Sequence, residues 1–145
     1  MESGTPSRDT AWAMSQENVE VMRQIVEAFN RDGVEAVLRH FETDIEWVGP
    51  PEWPDDHLYK GHEGLRKLAS QWTETFDEYR LDPERFIDTG ASVVVLLFIR
   101  GLIKDSALPV AQETSWVCQV GNGKATHVRV YFSWEEALEA AGLRG

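Results

Sequence analysis

The spacing of apolar residues predicts three helices in the first half of the chain. From Ser15, which can cap a helix, apolar side chains recur every three or four residues up to Phe29, and Gly33 is a good stop. A shorter apolar repeat follows Gly33 and ends at Phe41. The stretch 61–76 predicts a third helix, because its large apolar side chains share one face: Leu65, Leu68, Trp72 and Phe76.

The remaining pattern has a period of two, which is typical of strands. Strands are predicted at 44–49, 79–88, 92–103, 111–120 and 124–132. The Asn-Gly pair within 121–124 predicts a hairpin turn, because both residues tolerate a positive φ. The spacing of Ser133 and Glu136 matches a capping box and predicts a final helix that ends at Gly142.

This order of elements predicts an α+β domain, with helices on one face of a strongly bent antiparallel sheet. Residues 1–14 show no period and are expected to form a flexible leader, with one domain over 15–145. A sheet that wraps around three helices, with a further C-terminal helix, forms a cone-shaped barrel. Its open mouth is a natural pocket for a small molecule.

Composition narrows the choice of partners. The 145 residues suit one domain, and the net charge of −11, from 25 acidic and 14 basic residues, argues against nucleic acid or an anionic membrane. The longest apolar run, at 93–99, has the length of a strand rather than the roughly 20 residues of a membrane span. With one cysteine, Cys118, and no signal-peptide pattern, we expect a cytoplasmic protein.

Four segments in order carry a family resemblance: VMRQIVEAFNRDGVEAVLRHFETDIEWVGP, YKGHEGLRKLASQW, FIDTGASVVVLLFIRG and VGNGKATHVRVYFSWEEALEAAGL. Together they cover about residues 15–143, and the sequence resembles the SnoaL-like branch of the nuclear transport factor 2-like superfamily. The resemblance implies the cone-shaped α+β fold. It leaves the activity open, because this superfamily includes ketosteroid isomerases, epoxide hydrolases, polyketide cyclases, dehydratases and proteins that only bind or dimerise.

The catalytic groups that the resemblance implies are not matched. In a ketosteroid isomerase-like site, the general base falls on Gly49 and the oxyanion-hole tyrosine on Ile25. The protonated aspartate of that site falls near Ser115. In a limonene epoxide hydrolase-like site, the last-strand aspartate falls at or near Val130, and its partners fall within 92–98, which carries no charge.

The acid/base residue of SnoaL-type cyclases is placed by the same resemblance in the last strand. That strand offers only Val128, Val130 and Phe132 on the expected pocket face. Two other groups are therefore the catalytic candidates. Strand parity is expected to turn Glu113 inward together with Ser115, and a carboxylate in an apolar cavity could act as an acid or a base. The alternative is an ordinary carboxylate at the wet mouth.

His57 is the second catalytic candidate, because it stands beside Asp55 and Asp56 in the proline-rich stretch 49–61. The alternative is a solvated loop. The three consecutive side chains diverge, so no metal site is predicted. The other histidines are read as ordinary positions at a helix end, at a helix start and on an exposed strand: His40, His62 and His127.

Aromatic side chains are expected to gather near the mouth of the cone, at Trp47, Trp53, Tyr59 and Trp72. Core packing is the alternative for Trp72. Trp53, which is flanked by prolines, is a candidate lid or ligand platform. The complete set expected to line the pocket is Ile25, Trp47, Trp53, Tyr59, Trp72, Ser115, Val128, Val130 and Phe132.

The outer sheet face is also expected to be apolar, with Trp116 and Cys118 beside residues of the neighbouring strand: Val94, Leu96 and Phe98. An apolar face without a helical cover needs a partner, and members of the superfamily commonly dimerise through it. We therefore predict a homodimer, with Arg129 and Tyr131 near the interface. Cys118 has no activating base in the sequence pattern, so a nucleophilic role is not predicted.

Two hypotheses of function follow. In the first, the protein is a cofactor-free isomerase, cyclase, dehydratase or hydrolase that acts through Glu113 or His57 on an apolar molecule of about one to three rings. In the second, it is a non-catalytic protein that binds a small hydrophobic ligand, and the missing catalytic residues favour this reading. A pure interaction module of the same fold is a further alternative.

Overall fold

Four α-helices, a 3₁₀ turn and six strands make up the part of the chain that the computed structural model describes, residues 8–50, 52 and 58–143. In chain order they are α1 Arg8–Asp32, α2 Val34–Val37, the 3₁₀ turn Leu38–His40, β1 Phe41–Val48, β2 Leu58–Lys60, α3 Gly61–Thr75, β3 Phe76–Asp88, β4 Val93–Ile103, β5 Pro109–Gly121, β6 Lys124–Tyr131 and α4 Trp134–Ala140.

The helices agree with the predicted ones except at the start of α1. This helix begins at Arg8, so the predicted start at Ser15 is wrong. The preceding residues include good helix formers such as Ala11, Ala13 and Met14, so the helical backbone continues through them. The predicted cap of α4 is confirmed, because the Ser133 hydroxyl accepts a hydrogen bond from the Glu136 N–H at 3.2 Å. No helix within the described ranges is long and apolar enough to cross a membrane.

The six strands form one curved sheet in the order β2-β1-β6-β5-β4-β3. The α+β cone is therefore confirmed, with one difference in strand direction. β1 and β6 run parallel, whereas every other pairing described is antiparallel. A parallel pair requires a long connection, and here α3 and four strands of the sheet lie between its members. The sequence analysis also missed β2, which has only three residues.

Helices α1 and α3 cover the concave inner face of the sheet. Met22, Ile25 and Val26 of α1 and Leu65 and Leu68 of α3 belong to one buried cluster. All six strands contribute inner side chains to the same cluster, and those from β4, β5 and β6 include Val93, Val95, Leu97, Trp116, Cys118, Val128 and Val130. The prediction that Trp116 and Cys118 face outward is therefore wrong, since both pack against the helices.

A β-bulge in the β5–β6 hairpin explains this reversal. The pairing starts with Gly121 opposite Lys124 and Val120 opposite Ala125, but the next pair joins Gln119 to His127. Thr126 is therefore an extra residue in β6, and the register beyond it is shifted by one position. Because side chains alternate with a period of two, a shift by one residue exchanges the two faces of β5 relative to β6.

Helix α4 packs on the outer face of the sheet. Ala137 lies in a small buried cluster with Val94 and Leu96, and the Phe98 and Trp134 rings lie 5.2 Å apart between centroids. The outward orientation of Val94 and Leu96 is confirmed. The outer face was expected to lack a helical cover, and this is wrong where α4 lies. Tyr131 packs against this cluster, and a homodimer through the outer face, near Arg129 and Tyr131, stays a prediction.

Asn30 fastens the end of α1 to the edge strand β3. Its side-chain amide donates a hydrogen bond to the Leu81 carbonyl at 2.7 Å, and its oxygen accepts one from the Leu81 N–H at 2.8 Å. Leu81 is 2% exposed, and β3 lies at the edge of the sheet. The asparagine thus supplies the partners that a further strand would supply elsewhere.

We predict that Asn30→Ala lowers the free energy of unfolding by about 1–2 kcal/mol, because both backbone groups of Leu81 lose their partner. Urea unfolding monitored by far-UV circular dichroism measures the change. Gln24→Ala, at an exposed position on the same helix, is the matched control and should unfold like the wild type. Equal midpoints for Asn30→Ala and the control would contradict this role for Asn30.

Candidate functional site

A pocket lies between the helices and the inner face of the sheet. It contains about 420 Å³ of empty space, including the part that is open to solvent. Every helix and strand that borders it contributes apolar side chains. The lining is Ile25, Phe29, Val34, Val37, Phe41, Trp47, Leu65, Leu68, Ala69, Trp72, Leu81 and Trp116.

No titratable side chain is part of this lining, as far as the chain is described. A ligand in the pocket therefore contacts mainly carbon atoms, and burial of apolar surface is the main source of affinity. Within the same part of the chain, no group of three His, Cys, Asp or Glu side chains could hold a metal ion. The prediction that the protein works without a metal or cofactor stays a prediction.

Two of the three tryptophans of the lining, Trp47 and Trp116, contact each other. Their rings meet edge to face, with centroids 5.1 Å apart and planes at 72°. Trp47 is 5% exposed and Trp116 is 1% exposed. Both indole Nε1 atoms are buried and have no hydrogen-bond partner. A buried indole N–H usually has a partner, so this pair is unusual.

Trp72 lines the pocket and also packs against two aromatic side chains, Phe29 and Tyr79. Its ring packs edge to face against Phe29, with centroids 6.4 Å apart, and against Tyr79, with centroids 5.7 Å apart. Phe29 also lines the pocket, whereas Tyr79 lies outside the lining. Trp72 therefore has both expected roles, because its ring packs against its neighbours and also borders the pocket.

Of the residues predicted to line the pocket, Ile25, Trp47 and Trp72 do line it. Their contact with a ligand stays a prediction. Val128 and Val130 belong to the same buried core without reaching the pocket. Tyr59 is also buried outside the lining, and its hydroxyl donates a hydrogen bond to Gln71 Oε1 at 2.7 Å. Phe132, just after β6, is half-buried and is not part of the lining.

Glu113 and Ser115 face the opposite side of the sheet from the pocket, so their predicted inward orientation is wrong. The Glu113 carboxylate accepts a hydrogen bond from the backbone N–H of Trp134 at 2.8 Å. The Ser115 hydroxyl donates to the Ser133 carbonyl at 3.1 Å. Both side chains therefore position the start of α4 on the outer face, and the bulge in the hairpin is the cause of the reversal.

His57 and Trp53 lie outside the described residues. The other three histidines are described and occupy the predicted positions, at the end of the 3₁₀ turn, in the first turn of α3 and on β6. His62 Nε2 lies 3.1 Å from the carbonyl oxygen of Phe41. Burial, and next the nearby Arg39 charge, lower the pKa of His40. Neither residue belongs to the pocket lining.

The sequence analysis missed Trp116 and most of the aliphatic lining. The helical repeat had already grouped Phe29, Leu65 and Leu68 on core-facing sides, and only the position of the pocket among them was unknown. Trp116 was assigned to the wrong face. Its pairing with Val130, which was expected to face inward, is visible only in the structure, because the bulge in the hairpin sets this register.

Cys118 lies on the inner face as well, fully buried among apolar residues. Burial raises the pKa of its thiol far above the usual range, because the thiolate would lose its hydration. The neutral thiol is a poor nucleophile. Cys118 is therefore a core residue, although it lies in the same strand as Trp116.

The described fold and pocket define a class: a cone-shaped α+β protein of the nuclear transport factor 2-like superfamily, with an apolar pocket under its helices. Within this class, the chain belongs to the SnoaL-like domain family, which matches residues 22–135. An NTF2-like protein of unknown function from Burkholderia pseudomallei K96243 is 24% identical, with a TM-score of 0.71 over 85% of this chain and 95% of that chain.

Two further solved structures extend the comparison. An NTF2-like protein from Burkholderia xenovorans LB400 is 30% identical, with a TM-score of 0.65 over 80% of this chain and 88% of that chain. TerC, co-crystallised with polyporic acid, is 22% identical, with a TM-score of 0.71 over 87% of this chain and 98% of that chain. The comparison with curated proteins gave no match.

We predict that Cys118 does not react with iodoacetamide in the folded protein and reacts fully in urea. The chain has one cysteine, so mass spectrometry of the intact protein reads this site alone. Because folding raises the thiol pKa, stability from this group is complete below the ordinary pKa and falls as pH rises above it. Rapid labelling in native buffer would show that the residue is accessible.

We predict that Glu113→Ala lowers the free energy of unfolding by about 1 kcal/mol, because the first N–H of α4 loses its acceptor. Glu113→Gln keeps an acceptor oxygen and should lose less. Glu84→Ala, at an exposed position of β3, is the control in the same urea titration. A change in binding to the pocket, with stability unaltered, would contradict the outward position of Glu113.

Proposed function

We propose that the protein binds a small apolar molecule in the pocket between its helices and its sheet. The observation that carries this proposal is the lining, in which apolar side chains from α1, α2, α3 and three strands converge on one space. Ligand pockets combine such a lining with a few polar atoms that orient the bound molecule. The co-crystal of TerC with polyporic acid supports a small-molecule ligand in this fold.

The volume of the pocket limits the size of the ligand. Its 420 Å³ includes space that is open to solvent, so the enclosed part is smaller. Pockets for drug-sized ligands hold about 300–1,000 Å³, which places this one near the lower end. A molecule of about one or two rings is the size that we propose.

Binding without catalysis is the function that the described lining supports best. Acid/base chemistry needs a group that can take or give a proton next to the ligand. Glu113 was the candidate from the sheet, and its carboxylate contacts the start of α4 on the opposite side. An enzyme would need this group from His57 or another residue outside the described part of the chain. The proposal itself requires no cofactor, nucleic acid or membrane, and it suits a cytoplasmic homodimer.

A variant that fills the pocket tests this proposal. Ala69 is the smallest residue of the lining, and Ala69→Leu places three more carbon atoms in the space. We expect one- and two-ring ketones, terpenoids and arenes from a screened panel to raise the Tm of the wild type, because a ligand of the folded state stabilises it. The same molecules should leave the Tm of Ala69→Leu unchanged.

Ala140→Leu is the control for this experiment, because it makes the same change at an exposed position of α4. It should respond to the panel as the wild type does. Equal stabilisation of Ala69→Leu and the wild type would contradict binding in this pocket. Conversion of a bound molecule into a product, lost in His57→Gln, would favour the enzymatic alternative over binding alone.

A further inference from the structure

Two hydrogen-bond donors of the pocket have no acceptor. Trp47 and Trp116 both line the pocket, and the Nε1 atoms of both are buried without a partner. They come from β1 and β5, and their rings are in edge-to-face contact. Two independent strands thus bring the same chemical group, buried, to the wall of one small apolar space. An N–H group that is removed from water without a partner destabilises the folded protein.

Another tryptophan shows how this fold satisfies an indole when no ligand is needed. The Trp134 Nε1 atom donates to the carbonyl oxygens of Thr114, at 2.8 Å, and Leu97, at 3.2 Å. Trp134 is the first residue of α4 and packs on the outer face, against a cluster that shares no residue with the pocket lining. The orphan donors therefore do not reflect a general lack of acceptors around tryptophan in this protein. Among the described residues, they belong to two of the three indoles that border the pocket.

The absence of charged side chains from the described lining decides which hydrogen-bond acceptor fits. A carboxylate or phosphate would lose its hydration on entering, and the described lining has no cation to offset that loss. An alcohol could accept a hydrogen bond, but its own O–H would need an acceptor, and the lining residues offer only apolar side chains and indole N–H groups. A carbonyl oxygen accepts two hydrogen bonds and donates none.

We propose that Trp47 and Trp116 bind the neutral carbonyl oxygen of the ligand, a ketone, ester or lactone, through their indole N–H groups. This inference rests on the proposed function and adds the chemical class of the ligand. The apolar lining holds the carbon skeleton, and the two N–H groups fix the orientation of the carbonyl. The pocket therefore distinguishes a ketone from a hydrocarbon of the same shape.

Two other partners could satisfy these N–H groups. A buried water molecule can accept from both, and the face of one indole ring can accept weakly from the other, given their edge-to-face contact. Either arrangement would leave a carbonyl ligand without a special advantage. The experiment must therefore isolate the contribution of the carbonyl group to affinity from the contributions of the ligand's shape and apolarity.

Acetophenone and α-methylstyrene provide this comparison, because a C=O in one replaces a C=CH₂ of nearly the same shape in the other. A ketone leaves water less readily than an alkene, so the two affinities are not compared with each other. Each ligand is instead compared between the wild type and Trp47→Phe or Trp116→Phe, by isothermal titration calorimetry. We expect each variant to weaken acetophenone about tenfold and to change α-methylstyrene much less.

Trp72→Phe is the matched control, since Trp72 lines the pocket but is not one of the two orphan donors. It should change the affinities of both ligands by the same factor. Equal losses for the two ligands in Trp47→Phe and Trp116→Phe would overturn the inference and leave the proposed function standing. Failure of both ligands to bind, or binding that Ala69→Leu does not block, would overturn the proposed function together with the inference.

A measurement on the wild type avoids any loss of folding in the variants. Indole N–H signals in ¹H–¹⁵N spectra move downfield when they form a hydrogen bond to an acceptor. We expect two of the six tryptophan signals to lie farther downfield with acetophenone than with α-methylstyrene. The same position of all indole signals in both complexes would overturn the inference.

Discussion

The contact between Trp47 and Trp116 holds the centre of this fold. The two residues lie on β1 and β5, which are separated by β6, yet their ring centroids are 5.1 Å apart. Two strand spacings amount to about 10 Å, so the rings lean toward each other over β6 on the concave face. Burying each indole contributes up to about 4–6 kcal/mol, whereas an unpaired N–H costs about 1–3 kcal/mol. The fold therefore tolerates two orphan donors, provided that the rings stay packed.

The position of these rings explains why the two faces of the sheet have different roles. On the inner face, Val128 and Val130 are buried in the same core as the indoles, and the space beyond the rings is left to the pocket. On the outer face, Glu113 and Ser115 hold the start of α4 through hydrogen bonds. The polar groups of β5 thus serve the helix that covers the sheet. The groups that could contact a ligand come from the opposite side of the same strand.

Local sequence patterns predicted the elements well, because each helix and hairpin depends on its own residues. The periodicity of 61–76 and the capping pair Ser133 and Glu136 are examples, and α3 and α4 form where they indicate. The facing of β5 could not be predicted in the same way. Without the bulge at Thr126, Ser115 would pair with Val130, and Trp116 would face outward. Each face of this strand mixes polar and apolar side chains, Thr114 with Trp116 on one and Ser115 with Val117 on the other, so the alternation alone did not decide its facing.

Affinity and selectivity in this pocket come from different residues. The aliphatic lining and the Trp72 ring stabilise any apolar molecule that fits, and the small side chain of Ala69 leaves room for it beside α3. These contacts are non-directional, so they cannot distinguish between ligands of one shape. The indole N–H groups of Trp47 and Trp116 are directional, and a hydrocarbon would leave them as unsatisfied as they are in the empty pocket. A carbonyl would remove that penalty, and the selectivity of the site would be the free energy so recovered minus the cost of taking the carbonyl itself out of water.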